Sequence, residues 1–328
     1  MNILVTGGAG YIGSHMVRML ALSGHHVVVL DSMEFGHTQA IPSSVVFLHG
    51  GVGDKTIIDD IFTKEKIDAV IHFAGYISVE ESVRDPKKYF HNNLISPITL
   101  LEAMVAHHVD KLIFSSTAAV YGNPTEVPIP EDHPKDPTSP YGLSKWCFEL
   151  YLSLFDRQKD IRSISLRYFN ASGASLDGKF GEAHAPETHI IPLGIRAAVE
   201  NKQFFLFGDD YPTRDGSCVR DYIHVEDLCT AHVLALEALA HGHGSDIYNV
   251  GTGIGITNKE VIEQIKEETG IDFPIAIKER RAGDPAELIA DPTKIKQEFG
   301  WTPKYSDIKT IVKTAWKWHQ THPNGYAD

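Results

Sequence analysis

Three glycines spaced three apart, in Gly7-Gly8-Ala9-Gly10-Tyr11-Ile12-Gly13, separate an apolar run at Ile3-Leu4-Val5 from a stretch of helical periodicity. No other feature constrains the fold as strongly. A strand that turns on glycine into a helix allows a tight turn, close backbone approach to a pyrophosphate, and close helix–strand packing. The helix N-terminus then faces the phosphates. Glycine spacing alone carries little weight. Here a strand and a helix flank it, and an acid, Asp31, ends the next apolar run. Asp31 is placed to take both hydroxyls of an adenosine ribose. It would repel a 2′-phosphate, so NAD is expected rather than NADP.

The signals that follow alternate. Strands are expected at Asn2–Thr6 and at residues 27–31, 45–48, 69–73, 111–115 and 163–167. Helices are expected at 11–23, 56–62, 86–107 and 140–156, the third capped by Asp85 with Pro86 at its first position. Alternating units of this size imply an α/β chain with a Rossmann-type doubly wound parallel sheet. Past residue 170 the alternation loosens. Gly, Pro, His and Asp are frequent between 171 and 220, which reads as long loops, and helices return at Val225–Ala240, Asn258–Thr269 and Ile308–Thr321. Residues 1–170 are expected to bind NAD. Residues 171–328 are expected to form a smaller C-terminal substrate-binding lobe, with some segments returning to the first domain.

A chain of 328 residues can bury a large core, and its net charge of −13 argues against nucleic acid or an anionic membrane as partner. No apolar run approaches the roughly 20 residues that span a bilayer. No charged segment followed by an apolar one marks a signal peptide. Cys147, Cys218 and Cys229 show no metal spacing and cannot all pair, so a reducing, cytoplasmic setting is expected. The 18 histidines form no recognisable ligand pattern on a helix, so surface or loop positions and no metal centre are expected.

Tyr141 stands four residues before Lys145 in Ser139-Pro140-Tyr141-Gly142-Leu143-Ser144-Lys145. Ser139 suits an N-cap and Pro140 a first helical position. Residues four apart share a helix face. A phenol titrates near 10, and a neighbouring cation favours the phenolate, making Tyr141 a usable acid/base. Spacing alone does not decide this, because Tyr305 and Lys309 repeat it. Context separates them. Ser115-Ser116-Thr117 closes the strand from Lys111, and strand ends in such a sheet face the cofactor crevice. Thr117, Tyr141 and Lys145 thus form a candidate set, with Lys145 also on the nicotinamide ribose. The helix from Pro140 is apolar nearly all round. It is either buried on both sides within one subunit or, with the helix from Pro86, meets a second copy.

With these segments in view, the chain resembles the extended short-chain dehydrogenase/reductases, and within them the UDP-glucose 4-epimerase family. Supporting segments are His72-Phe73-Ala74-Gly75, Asn92-Asn93, Val120-Tyr121-Gly122, Tyr168-Phe169-Asn170, Arg281-Ala282-Gly283-Asp284 and, most specifically, residues 211–225. The resemblance implies reversible 4-epimerisation of UDP-galactose and UDP-glucose through transient oxidation at sugar C4, with Tyr141 as base and Thr117 beside the reacting oxygen. Val52, Phe73, Ala74, Gly75, Asn92, Ser115 and Tyr168 would join Gly7, Gly10, Tyr11, Ile12, Gly13, Asp31, Tyr141 and Lys145 in holding NAD. Asn170, His189, Ile190, Arg220, Arg281, Asp284 and Leu288 would hold the UDP-sugar with Thr117 and Tyr141, and Arg suits phosphate oxygens on its own account. A homodimer through the two helices is implied as well.

Three positions depart from the family pattern. Gly51 stands where the family has an adenine-binding Asp, with Asp54 three residues on. Tyr76-Ile77 replace a Lys after Gly75. Leu288 is intermediate in size where side-chain bulk gates N-acetylated sugars. UDP-N-acetylhexosamines or UDP-pentoses remain alternative substrates. A 4,6-dehydratase would carry Asp-Glu after Thr117, where Ala118-Ala119 stand. A non-catalytic NAD-binding regulator would lack the Tyr141/Lys145 pair.

Overall fold

The computed structural model describes residues 1–159, 161–281 and 283–327. The first half alternates as β1 (Asn2–Thr6), α1 (Tyr11–Leu22), β2 (His26–Asp31), β3 (Val46–His49), α2 (Lys55–Glu65), β4 (Ala69–His72), α3 (Val79–Arg84), α4 (Pro86–Phe90), α5 (Ser96–Ala106), β5 (Lys111–Thr117), α6 (Pro140–Lys159) and β6 (Arg162–Tyr168). The second half runs β7 (Asn170–Ser172), α7 (Ile190–Glu200), β8 (Phe204–Phe207), β9 (Val219–His224), α8 (Val225–Ala240), β10 (Asp246–Val250), β11 (Gly255–Thr257), α9 (Asn258–Thr269), β12 (Ile275–Lys278), β13 (Glu287–Leu288), α10 (Thr293–Phe299) and α11 (Ile308–Thr321).

Seven parallel strands form the main sheet in the order β10-β6-β5-β4-β1-β2-β3. Strand side chains alternate between faces, so a strand covered on both sides reads as a continuous apolar run. Ile3 and Val5 of β1 pack with α1 and α8 residues such as Met16, Val17 and Leu236. Leu4 faces the opposite way, toward Ile58 of α2, Leu100 of α5 and Phe148 of α6. Full burial of one such side chain is worth about 1.5–3 kcal/mol. Strand order reverses between β1 and β4, and ligands bind at such a switch point beyond the strand C-termini. The chain leaves β6 for β7 across a single residue and enters a four-stranded sheet built on β9, which faces that switch point. A separate cluster around α7, α9 and α11 supports it.

The expected helix over 86–107 is interrupted. A π turn spans His91–Ile95, and the Ser96 amide reaches back to the His91 carbonyl. Pro97 has no N–H to return to the Asn93 carbonyl, so the regular i to i−4 ladder breaks there. The loops expected over 171–220 contain α7, whose Pro192 in the first turn leaves no backbone donor missing.

Candidate active site

All residues assigned to cofactor or substrate line one crevice of about 1230 Å³ between the main sheet and the β9 sheet. A single drug-sized ligand needs about 300–1,000 Å³, so the space suits a dinucleotide and a second nucleotide together.

The glycine turn is built for close approach. Gly7 has φ +72°, and a Cβ there would sit 2.5 Å from the Ala74 amide nitrogen; a Cβ on Gly13 would sit 2.1 Å from the Gly7 carbonyl. Gly10 caps α1 without a side-chain bond, so Tyr11, Ile12 and Gly13 offer amides toward the crevice. Asp31, buried at the end of β2, accepts from the amides of Ala9 and Met33, each at 2.9 Å. A carboxylate has about four acceptor positions, so capacity for ribose hydroxyls remains.

Gly51 lines the same wall as Val52, and a Cβ on it would meet nothing within 4 Å. Asp54 does not substitute for the missing acid. Its Oδ1 accepts from the Thr56 and Ile57 amides at 3.0 and 3.3 Å, capping α2. Phe73, Ala74 and Gly75 follow β4, and Asn93 pins the next turn through the Tyr76 amide and carbonyl at 2.9 and 3.0 Å. Asn92, on the π turn, bonds Asn93 at 3.0 Å and lines the crevice, as does Ile77.

The Ser139 hydroxyl accepts from the Gly142 amide at 3.2 Å, giving α6 the expected cap. One turn later Lys145 Nζ donates to the Ser115 carbonyl at 3.0 Å. Ser115 and Thr117 share one face of β5: Ser115 bonds the Tyr168 hydroxyl, and Thr117 neighbours the Tyr141 phenol. The decoy pair resolves differently. Tyr305 precedes α11, whose cap is Asp307, so Tyr305 and Lys309 share no helix face.

The expected electrostatics need correction. Burial raises the Tyr141 phenol above its ordinary value, and the group that lowers it is Thr117, not Lys145. Lys145 is itself pushed down to about 8 by burial, against the pull of Glu149 one turn on. A lysine held by a carbonyl in a dry wall is a weakened cation. The sign of its effect on stability follows. Between pH 8 and 10.5 the unfolded chain binds a proton on this lysine that the folded chain lacks, so stability rises across that window. Lys145→Met should therefore melt above the parent at pH 7 in cofactor-free protein. The advantage should vanish near pH ~10.5. Equal melting temperatures at pH 7 would contradict the burial penalty.

On the facing wall, Asn170 begins β7, His189 caps α7 and Ile190 opens it. Arg220 is buried, bonded to the Val219 carbonyl at 2.7 Å and paired with Asp284, which thereby orients the guanidinium. Arg281 lies 4.2 Å from the Phe207 ring centroid. Leu288, on β13 opposite Arg220, packs against the buried cluster of Ala118, Val120, Tyr121 and Ile129.

Sequence reading missed a buried network below the strand ends. Ser116, on the opposite face of β5 from Ser115 and Thr117, donates to Glu149 Oε1 at 2.5 Å. Arg167 makes two bonds to Glu149, at 2.9 and 2.6 Å, and one to the Tyr121 hydroxyl at 2.9 Å. The Tyr121 hydroxyl donates to Asn249 at 2.7 Å. The only signal was Glu149, the one charge in the apolar stretch 146–155 of α6.

A glycine-turn nucleotide crevice with a Thr/Tyr/Lys set at its strand ends defines a dinucleotide-dependent oxidoreductase-type site. The model of the NAD dependent epimerase/dehydratase family matches residues 3–251, and the chain belongs to that family. A UDP-glucose 4-epimerase from Lactobacillus helveticus is 48% identical over 329 residues, covering 100% of both chains. A crystal structure of a UDP-glucose 4-epimerase superposes with a TM-score of 0.98 at 45% identity, again over 100% of both chains. The UDP-glucose 4-epimerase from Brucella ovis, solved with NAD, gives 0.93 at 43% identity over 96% of this chain and 97% of that one. Among the described residues, no helix is long and apolar enough to cross a membrane.

Proposed function

We propose that the protein interconverts UDP-galactose and UDP-glucose by inversion at sugar C4, with NAD as resident cofactor. The observation that carries this is the convergence of Thr117, Tyr141 and Lys145 with the glycine turn in one crevice sized for two nucleotides. The residues present fit NAD: the cradle at Gly7 and Gly13 has no room for a Cβ, the α1 amides are open, and Asp31 offers ribose acceptors. When bound, NAD supplies a hydride acceptor for C4 and a positive charge.

Tyr141 takes the proton from the 4-hydroxyl and returns it, and Thr117 holds the same oxygen. A positive charge in a dry crevice lowers the phenol that burial raises. Lys145, bonded to the Ser115 carbonyl, is positioned for ribose hydroxyls. Arg220, aligned by Asp284, and Arg281 bind the diphosphate, while Asn170, His189 and Ile190 hold the uridine side. Anchoring through the nucleotide leaves the sugar free to turn. The test is to incubate purified protein with UDP-galactose and no added NAD. UDP-glucose should form. Absence of interconversion, with both ligands bound, would rule the reading out.

Leu288 supports a preference for unsubstituted hexoses, because its side chain takes up space in the crevice wall. Leu288→Ala should raise kcat/KM for UDP-N-acetylglucosamine relative to UDP-glucose by about 10-fold or more, and an unchanged ratio would remove Leu288 from specificity. A homodimer is the further reading of the apolar helices. Leu150 and Leu154 lie one turn apart on α6, 51% and 43% exposed, and Ile95 and Val83 nearby are 53% and 62% exposed. Such side chains call for a partner surface. Leu150→Asp should shift the light-scattering mass from two chains to one; a parent already monomeric would contradict this. The three cysteines are free thiols, in keeping with a reducing, cytoplasmic compartment.

A further inference from the structure

The loop entering α7 carries Glu182, His184, Glu187 and His189, and one ligand atom from each lies within 4.8 Å of all the others. Hydrogen bonding accounts for Glu182, Glu187 and His189 but leaves His184 Nδ1 without a partner. The buried Glu182 presents Oε1 to two imidazoles at once: His189 Nδ1 bonds it, and His184 Nδ1 lies 3.1 Å away. His184 Nδ1 is nevertheless buried without a hydrogen-bond partner, between the carboxylates of Glu182 and Glu187. Glu187 uses Oε1 to accept from the amides of Thr188 and His189, at 2.7 and 2.8 Å. Its Oε2 is thereby turned toward His184 Nδ1, 3.8 Å away.

Two imidazole nitrogens and two carboxylate oxygens converging on one point form a donor set suited to a four-coordinate transition-metal ion. Ligands about 2.1 Å from a tetrahedral ion lie about 3.4 Å apart, so an ion would draw Glu187 in toward His184, now 3.8 Å away, and open the closer Glu182–His189 and Glu182–His184 pairs. Nitrogen donors argue against magnesium or calcium, which favour oxygen throughout. The amides that hold Glu187 provide the outer support that ligating carboxylates require. His37 Nε2 fixes the same loop through the Ala183 carbonyl at 2.8 Å.

We propose that Glu182, His184, Glu187 and His189 bind one divalent ion of the zinc class in a closed site at the rim of the crevice. With four protein ligands the ion keeps no open position. It acts as a clamp that ties the 182–189 loop to the start of α7, where His189 and Ile190 line the crevice. The sequence reading expected no metal because the two histidines lie in a loop at non-helical spacing.

The test uses the full chain with its resident nucleotide. Protein stripped with chelator is reloaded with Zn²⁺ or Co²⁺, passed over a desalting column, and measured by plasma mass spectrometry. The parent should retain one equivalent per chain, its Co²⁺ form should show the intense visible bands of four-coordination, and Zn²⁺ should raise its melting temperature. Glu182→Gln and His184→Gln should lose the equivalent, the bands and the thermal shift, whereas the surface control His241→Gln keeps all three. Bound nucleotide, read at 260 nm, reports that each variant is folded. Retention of less than about a tenth of an equivalent by the parent, or equal retention by His184→Gln, would overturn the site. Metal content is read without substrate, so this result stands apart from the fate of the proposed activity.

Discussion

Replacing Tyr141 by Phe is expected to lower kcat by about 10²–10⁴-fold, the range for removing a positioned acid/base. NAD content and UDP affinity should stay within about 2-fold of the parent, because the ring and its packing remain. The change removes one oxygen from the phenol beside Thr117 and leaves the neighbouring Tyr89 ring, 6.4 Å away edge-on, in place. The loss should fall on kcat rather than KM, since the proton moves only as the reaction proceeds. Activity equal to the parent would sink the assignment of Tyr141. A rise in KM alone would reduce it to a binding residue.

The second large effect concerns stability. Arg167 and Glu149 are 1% and 2% exposed at their side chains. Removing one partner leaves the other charge buried and uncompensated, which costs about 3–5 kcal/mol. Glu149→Ala should therefore lower the urea midpoint sharply. The double variant Glu149→Leu, Arg167→Met should recover much of the loss, since a buried pair replaced by apolar groups is often nearly neutral. Recovery should be incomplete, because Arg167 also bonds the Tyr121 hydroxyl and the Glu131 carbonyl. A cost below about 1 kcal/mol for Glu149→Ala would mean that water reaches the pair. The pair sits directly behind Ser115, Thr117 and Tyr168, so loosening it should also disturb the strand ends that carry the site.

What was legible in the chain was local. The glycine turn, the Asp31 that follows it, the Ser139 cap and the Tyr141/Lys145 spacing all lie within a few residues of the element that fixes them. Each appears in the structure on the expected helix or strand. Period-two burial of β1 on both faces explains why its sequence reads as unbroken apolar residues. What escaped depends on pairings across the chain. The Glu149–Arg167 bond needs the register that sets Ser116 opposite Arg167. Asp54 follows three residues after the position of the family's adenine-binding acid, and its bonds to Thr56 and Ile57 show it to be a helix cap. Strands β7, β11 and β13 are three residues or fewer, too short for a periodic signal, and are specified by β9 beside them. The fall of Lys145 to about 8 reflects burial that no i, i+4 spacing reveals.

The central claim is that hydrogen at sugar C4 leaves and returns within one closed site. It is tested most directly with UDP-galactose carrying deuterium at C4, incubated in ordinary water and analysed by mass spectrometry. The deuterium should remain at C4 in the UDP-glucose formed. Its loss to solvent during inversion would contradict the account, since the crevice would then be exchanging a proton at carbon rather than holding a hydride.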